Sequence, residues 1–294
     1  MDNVLFSIVI PTYNRANLLH RCLESILAQT YKNWEAIIVD NYSEDNTEDV
    51  VKSFNDSRIV YIKNHNYGVI AVSRNKAINI AKGDWIAFLD SDDYWCPNKL
   101  ETILDYTRDY DLIYHGTIKN VKLWNPLLRP VDYFYDVKDY PIQEVLKRGD
   151  PISPSCAAVS MMAIGETRFD EGEKLFAVED YDFFLQLIDK HIKIKYLKKA
   201  LTSYDVSTGV SHGRVALDRD RQLFIKYRDR MSREDLREVV KYYYYRKGQI
   251  LNYPGNHAEA ARCLKIAASA KTRMVRWKAI KSMVKAVILS LNEK

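Results

Sequence analysis

The sequence predicts an α/β fold, because short hydrophobic strands alternate with helical segments and the last part of the chain is wholly helical. Four β-branched runs bounded by turn residues are predicted strands: 6–10, 35–40, 58–63 and 84–90. The segments between them carry apolar residues at helical spacing, such as Leu18, Cys22 and Ile26. Strands that alternate with helices form βαβ units, so we expect a mostly parallel, Rossmann-like sheet sandwiched by helices.

The later elements follow from the same patterns. Pro97 suits a first helical turn and predicts a helix to about Asp109, whereas 116–150 has no clear period and is expected to be irregular. Residues 178–190 predict a helix that buries Phe183 and Phe184. Beyond about residue 213 the pattern is wholly helical, so we predict two domains, 1–213 and 214–294, the second an all-helical appendage.

Composition indicates an ordinary soluble globular protein, with 47% hydrophobic and 28% charged residues among 294. Four widely spaced cysteines argue against a zinc cluster or a disulfide framework. No run of about 18 apolar residues is present, and the N-terminal VLFSIVI lacks the basic leader of a signal peptide. A cytoplasmic location is therefore expected.

Basic charge is concentrated at the end of the chain, where 261–294 holds nine Lys or Arg and one Glu. The last predicted helix has an apolar stripe of Met274, Trp277, Ile280, Val284, Val287, Ile288 and Leu291. Its opposite face carries Lys271, Lys278, Lys281 and Lys285. Two interpretations stay open: a peripheral contact with the anionic inner face of a membrane, or a helix packed on its own domain with a solvated basic face. Nucleic-acid binding is disfavoured, since the rest of the chain is slightly acidic.

Three polar clusters follow predicted strands: PTYNR at 11–15, DNYS at 40–43 and DSDD at 90–93. Ligands of open α/β sheets bind at the carboxyl ends of the strands, so these clusters are expected to share one rim. Asp90, Asp92 and Asp93 would repel one another there. A Mg²⁺ or Mn²⁺ ion held by Asp92, with Asp90 assisting through water or ribose, would offset this repulsion. The alternative is a solvated acidic turn before a helix.

Neighbouring residues suit a nucleoside diphosphate. Arg74 lies on a helix that leads towards the acidic cluster and offers a guanidinium to a nucleotide or pyrophosphate. Asp40 can accept a hydrogen bond from a base N–H, and Tyr13 can pack on the base face. These parts together predict a site for a nucleotide diphosphate.

The ordered motifs PTYNR, VDNYSEDNT, NYG with SRNKAI, AKGDWIAFLDSDD and VEDYDFFLQL resemble those of family 2 glycosyltransferases with the GT-A fold. The resemblance runs from residue 6 to about 212. It implies inverting transfer of a sugar from a nucleotide diphosphate sugar, with a UDP-sugar favoured, to an acceptor hydroxyl. The resemblance implies that Asp92 is a metal ligand, that Asp90 contacts the ribose and that Asp40 recognises the nucleobase. It further implies that Asp180 is the general base and that Glu179 is its neighbour or its substitute in that role. The implied donor side also includes Pro11, Thr12, Tyr13, Arg15, Asn41, Arg74 and Ser91.

Two departures from the family pattern affect these roles. Asn41 and Tyr42 stand where members commonly have Asp and Gly, and Asp205 and Ser207 stand in the places of an Arg and a His. His212 is a weak substitute as a metal ligand. RMVRW at 273–277 lacks the Gln of the QxxRW motif of polymerising members, which predicts one sugar per encounter.

The resemblance leaves the substrates and assembly open. A lipid-linked or oligosaccharide acceptor of bacterial surface glycan assembly is expected, and a homo-oligomer would be consistent with the Tyr-rich segment 239–253. The second hypothesis is a nucleotide-sugar-binding protein without turnover, because the YDVS segment at 204–207 departs from the family pattern.

Overall fold

The computed structural model describes residues 3–120, 131–132, 134–205, 214–252 and 256–292. The chain divides into two compact units. The sheet unit comprises 1–138, 152–173 and 179–209, and the helical unit comprises 139–151, 174–178 and 210–294. The four cysteines lie in described parts of the chain and are free thiols.

The first half of the sheet confirms the predicted parallel βαβ arrangement. Strands β1 (Phe6–Thr12), β2 (Trp34–Asp40), β3 (Ile59–Lys63) and β4 (Trp85–Phe88) lie in the order β3-β2-β1-β4 and pair in parallel. Helices α1 (Ala16–Leu27), α2 (Thr47–Ser53) and α3 (Ile70–Ile80) connect them. Strand β1 runs through Pro11, beyond the predicted end. The proline is tolerated because β4 pairs with β1 only as far as Val9, so the lost N–H falls where one side has no partner strand.

The second half of the sheet adds strands that the sequence patterns did not predict. Its elements are β5 (Tyr94–Trp95), α4 (Lys99–Leu104), β6 (Leu112–Asn120), β7 (Val131–Asp132), β8 (Ala157–Ser160), α6 (Met161–Ile164), α7 (Glu179–Asp189) and β9 (Ile194–Asp205). The order continues from β4 as β8-β6-β9-β5. Strand β8 is antiparallel to β4 and β6, β9 is parallel to β6, and β5 is antiparallel to β9.

Two local expectations were wrong. The helix after Pro97 ends at Leu104, because the backbone then turns so that Asp111 N–H can donate to Lys193 O at 2.7 Å, just before β6. The region 116–150, expected to be irregular, contains the end of β6, β7 and helix α5 (Ile142–Leu146). A register shift at Gly116 interrupts the period of β6, which explains why its pattern was not recognised.

An aromatic cluster packs α7 against β4 within the sheet unit. Phe169 and Phe183 stack with ring centroids 4.1 Å apart, and Phe88 meets both edge-on. Phe183 and Phe184 are fully buried, which confirms the predicted buried face of this helix. The packing fixes the first turn of α7, which carries Glu179 and Asp180.

The described residues from 214 onwards form helices joined by turns, which confirms the prediction of a helical C-terminal part. They contain α8 (Arg214–Lys226), α9 (Arg233–Asn252), α10 (His257–Ala267) and α11 (Arg273–Asn292). Gly248 lets α9 and α10 approach closely, since a Cβ there would lie 2.5 Å from Leu264 Cγ. Among the described residues, no helix is both long and apolar enough to span a bilayer.

Candidate active site

The loops after β1 and β2 are joined by hydrogen bonds at the carboxyl ends of these strands, an edge that we call the rim. Asn41 N–H donates to Thr12 O at 3.0 Å, and Asn14 N–H donates to Ser43 Oγ at 2.8 Å. Asn14 Oδ1 in turn accepts from Glu44 N–H at 2.8 Å. The PTYNR and DNYS clusters therefore form one connected surface.

Asp40 lies beneath this surface. Its side chain is fully buried and accepts hydrogen bonds from Ser43 Oγ and Tyr61 Oη, each at 2.5 Å. Burial, followed by the hydrogen bond to Asp40, raises the pKa of Tyr61, so the phenol stays protonated and donates. In this conformation Asp40 shapes the loop that carries Asn41 and Tyr42. Its contact with a nucleotide base stays a prediction.

Arg74 joins two carboxylates that come from distant parts of the chain. Its guanidinium donates to Asp90 Oδ1 and to Glu179 Oε1, both at 2.9 Å. The arginine is 3% exposed. Burial lowers its pKa, but the charges of Asp90 and Glu179 outweigh that effect and raise it, so the guanidinium stays charged. Arg74 thus binds the two carboxylates in this structure, and its contact with the donor stays a prediction.

Glu179 and Asp180 occupy adjacent positions at the start of α7 but differ in exposure. Glu179 is 5% exposed, and its Oε2 has no hydrogen-bond partner within the described ranges. Asp180 is half-buried, and its Oδ1 accepts from Tyr181 N–H at 2.8 Å. Carboxylates are favoured in a first helical turn. The more exposed Asp180 is the better placed of the two to meet a substrate.

Asp92 is paired with an arginine of the loop after β1. Its carboxylate forms an ion pair with Arg15, and its main-chain carbonyl accepts from Arg21 Nη2 at 2.8 Å. The Arg21 guanidinium also lies over the Tyr94 ring, 4.6 Å from the centroid. The acidic loop is thus held beside the start of α1, where two arginines offer positive charge to an anion.

Buried polar groups that the sequence motifs did not indicate anchor the acidic loop. Asp90 N–H donates to Ser155 Oγ at 3.0 Å, and Ser155 O accepts from Lys99 Nζ at 2.8 Å. The same carbonyl accepts from Trp95 Nε1 and Thr202 Oγ1. Lys99 is fully buried, and burial lowers its pKa to about 7. The only sequence signal was the polar pair Ser153 and Ser155 inside an apolar run.

The remaining predicted donor residues line the same edge. Pro11 and Thr12 are buried at the end of β1, Ser91 is buried, and Tyr13 is 50% exposed. Thr12 Oγ1 has no hydrogen-bond partner in the part of the chain that the structure describes. Ser207 and His212 lie outside the described residues, as does the side chain of Asp205.

The acidic residues of the rim fit a metal that takes few protein ligands. No three His, Cys, Asp or Glu side chains are grouped to hold a metal ion, as far as the described ranges extend. Asp90 and Asp92 supply hard carboxylate oxygens. Mg²⁺ and Mn²⁺ commonly take one or two carboxylates and complete their shell with water and substrate phosphate. The donor set therefore fits such a cation bound together with a diphosphate.

Comparison with known sequences identifies a family and several relatives. The profile of "Glycosyl transferase family 2" matches residues 7–164. An uncharacterised glycosyltransferase of Methanocaldococcus jannaschii is 35% identical over 216 residues, covering 70% of this chain and 72% of the relative. The Escherichia coli protein named UDP-Glc:alpha-D-GlcNAc-diphosphoundecaprenol beta-1,3-glucosyltransferase WfaP is 32% identical over 216 residues, covering 70% and 78%.

Solved structures share the fold at lower sequence identity. Mannosyltransferase PcManGT from Pyrobaculum calidifontis, in complex with GDP-Man and Mn²⁺, matches with a TM-score of 0.61 and 17% identity over 99% of this chain and 87% of its own. S. aureus TarS 1–349, in complex with UDP-GlcNAc, matches with a TM-score of 0.57 and 18% identity over 98% and 92%. These similarities confirm the predicted GT-A fold.

Proposed function

The chain belongs to glycosyl transferase family 2 and is a glycosyltransferase with the GT-A fold; from this premise we propose that it transfers one sugar per encounter, with inversion, from a UDP-sugar to a hydroxyl of a lipid-linked or oligosaccharide acceptor. The observation that carries the proposal is the Arg74 bridge. It holds Asp90 and Glu179 together at the rim, beside Asp180 and the Arg15–Asp92 pair.

Asp180 is the proposed general base. A half-exposed carboxylate at this place can accept the proton of an acceptor hydroxyl as its oxygen attacks the anomeric carbon. Glu179 is already engaged by Arg74, so we assign it to positioning rather than to proton transfer. A single displacement inverts the anomeric centre and requires no protein nucleophile. The negative charge that forms on the departing diphosphate faces a rim that carries Arg15 and Arg21.

Asp92, assisted by Asp90, would hold the divalent cation. When bound, the cation would neutralise charge on the leaving diphosphate. Arg15 forms an ion pair with Asp92 in this structure. We therefore expect the Arg15 guanidinium either to leave Asp92 or to share it when a cation and a diphosphate bind.

The names of relatives guide the choice of substrates. WfaP is named for UDP-Glc and a GlcNAc-diphosphoundecaprenol acceptor, and further relatives are named for colanic acid and teichuronic acid biosynthesis. A UDP-sugar donor and a lipid-linked acceptor in bacterial surface polysaccharide assembly are therefore the first substrates to test.

Helix α11 supports a peripheral contact with an anionic membrane surface. It packs on its own unit through Val275, Ala279 and Ala286, which are buried. Trp277 and Val284, from the predicted apolar stripe, remain 65% and 52% exposed. Four exposed basic residues flank them: Arg276, Lys278, Lys281 and Lys285. The helix therefore packs on its own unit through Val275 and two alanines and leaves part of the predicted apolar stripe exposed between cations, which supports the membrane interpretation.

Activity is tested by incubating the protein with UDP-glucose, UDP-GlcNAc, GDP-mannose and dTDP-glucose, each with a GlcNAc-diphosphate-lipid acceptor, with and without Mn²⁺. We expect transfer from a UDP-sugar that Mn²⁺ increases and a chelator abolishes. If UDP binds but neither transfer nor donor hydrolysis is detected with any pair, the nucleotide-sugar-binding alternative replaces the enzyme.

Membrane contact is tested with phosphatidylcholine vesicles prepared with or without phosphatidylglycerol. The protein should sediment with the anionic vesicles only, and Trp277→Asp with Val284→Asp should abolish this. Val240→Asp is the matched control, since Val240 is 50% exposed on another helix of the same unit. Equal loss in the control variant, or binding without dependence on anionic lipid, would contradict the assignment of this surface.

A further inference from the structure

Three rings from two loops stack beside Asp40 on the rim. Tyr42 follows β2, and His65 and Tyr67 follow β3; we call them the ring stack. The Tyr42 and His65 rings are 3.8 Å apart and inclined by 12°, and the His65 and Tyr67 rings are 5.8 Å apart and inclined by 23°. Tyr42 is 44% exposed, Tyr67 is 89% exposed, and His65 is exposed. Exposed aromatic side chains that are grouped in this way can mark a ligand-binding surface.

The backbone at the ring stack is strained. Tyr42 has a φ of +57° and Tyr67 a φ of +51°, in the left-handed region that bulky side chains avoid. Glycine suits that region, whereas a tyrosine side chain is disfavoured there. A tyrosine kept in a conformation that favours glycine indicates that its ring has a use.

Hydrogen bonds hold both loops in place. Asn66 N–H, between His65 and Tyr67, donates to Asn41 Oδ1 at 2.8 Å. The Asn66 side chain donates to Ser73 Oγ at 2.8 Å and accepts from Gly68 N–H at 2.9 Å. Asn66 is 7% exposed. The ring stack is therefore positioned before any ligand arrives, which reduces the entropy lost on binding.

We infer that the ring stack is the surface against which the nucleobase of the donor packs, through the exposed ring of Tyr42. Asp40 is buried and already accepts from Ser43 and Tyr61, so the groups near it that can meet a planar base are exposed rings: Tyr42 of the ring stack on one side and Tyr13, 50% exposed after β1, on the other. The diphosphate would then extend towards Arg15. This inference rests on the proposed use of a nucleoside diphosphate donor, and adds residues that fix its base.

The decisive variant is Tyr42→Gly, which removes the ring and relieves the positive φ. The measurements are calorimetric affinities of the full-length protein for UDP and for inorganic pyrophosphate, both with Mn²⁺. Loss of a stack between a base and an aromatic ring weakens binding by about fivefold to a hundredfold, so we expect UDP affinity to fall within that range. Pyrophosphate has no base, so its affinity should stay within about twofold, the difference expected when no contact is lost. Tyr42→Phe keeps an aromatic ring, so its affinity for UDP should equal that of the wild type.

Two further measurements separate binding from folding. The melting temperature of Tyr42→Gly should not fall below that of the wild type, because glycine accepts a φ of +57°. His191→Gly is the control for release of strain, since His191 has a φ of +55° in the turn after α7. It should leave UDP affinity unchanged.

Each other outcome has a definite meaning. Unchanged UDP affinity in Tyr42→Gly overturns the inference, and a raised acceptor KM with unchanged UDP affinity would assign the rings to the acceptor instead. Equal losses for UDP and pyrophosphate would show a distorted diphosphate site and also overturn it. If the wild type binds no nucleoside diphosphate, the proposed function itself fails.

Discussion

The rim of the sheet unit and the surface of the helical unit use charge in opposite ways. At the rim, Arg74 and Glu179 are 3% and 5% exposed, and each is tied to a partner by a direct hydrogen bond. In the helical unit, Lys271 and Glu234 form an ion pair whose side chains are 72% and 66% exposed. Burying charge carries a desolvation cost that surface pairs avoid.

This difference in burial shows where the positions of charged groups are fixed. A buried, cross-linked carboxylate cannot move to suit solvent, so the rim presents its groups in a fixed arrangement, as electrostatic catalysis requires. Exposed pairs in the helical unit impose no such order. Charge substitutions should therefore affect activity and stability strongly at the rim and weakly at exposed pairs such as Lys271–Glu234.

The largest effect is expected from Asp180→Asn. Without a carboxylate to accept the proton of the acceptor, kcat should fall by about 10³-fold, while UDP affinity and the melting temperature stay near those of the wild type. Steady-state kinetics with the active donor and acceptor pair measure this. A loss below tenfold would remove Asp180 from the chemistry and weaken the view that the rim is built for catalysis.

Arg74→Met tests the cost of the buried bridge. It leaves Glu179 buried and Asp90 partly buried without their cation, and breaking such a pair typically destabilises a protein by about 3–5 kcal/mol. Urea unfolding followed by circular dichroism gives the change in the free energy of unfolding. The double variant with Glu179→Gln should recover part of the loss, because it removes an unpaired charge. A midpoint equal to that of the wild type would contradict the contrast between the two units.

Lys99→Met tests the buried amine beneath the acidic loop through the dependence of stability on pH. The pKa of Lys99 is lowered to about 7 in the folded state, whereas an unfolded lysine titrates near 10.4. Between these values the unfolded state binds more protons, so the stability of the wild type should rise with pH relative to the variant. The slope should approach roughly 1 kcal/mol per pH unit between pH 7 and 9. Parallel stability curves would show that Lys99 is not the titrating group.

Lys271→Met should give the smallest effect. Both partners of the Lys271–Glu234 pair are exposed, so solvent replaces the lost interaction and the unfolding midpoint should not change beyond error. When both variants are measured in the same buffer, the change in the unfolding midpoint of Lys271→Met is the small reference value against which that of Arg74→Met is compared. A loss similar to that of Arg74→Met would erase the distinction between the units.

Sequence patterns predicted the parts of the fold whose signals are local. The strands that became β1 to β4 have continuous apolar runs ended by polar turns, and the repeating apolar face of α7 gave its buried phenylalanines correctly. The sequence patterns did not predict strands β6 and β9. A register shift at Gly116 interrupts the alternating pattern of β6, and Lys198 and Lys199 interrupt the apolar pattern of β9. Strand β8 is only four residues long and continues directly into a helix.

The candidate site divides in the same way. The acidic loop and the start of α7 were found from motifs, since carboxylates that cluster after strands are visible in a sequence. Ser155 was missed because it acts through its carbonyl and hydroxyl on residues that are distant in the chain, at 65 positions from Asp90 and 56 from Lys99. No local pattern reports such a contact.

The sequence alone determined the alternation of strands and helices, the family resemblance and the set of carboxylates, because hydrophobic period and motif order are properties of neighbouring residues. The tertiary structure decided which of those carboxylates are buried, that one arginine joins two of them, and that Tyr42 stacks on His65 with a left-handed backbone. Burial and long-range pairing depend on which surfaces meet when the chain folds, and those meetings set the free energy of every charge at the rim.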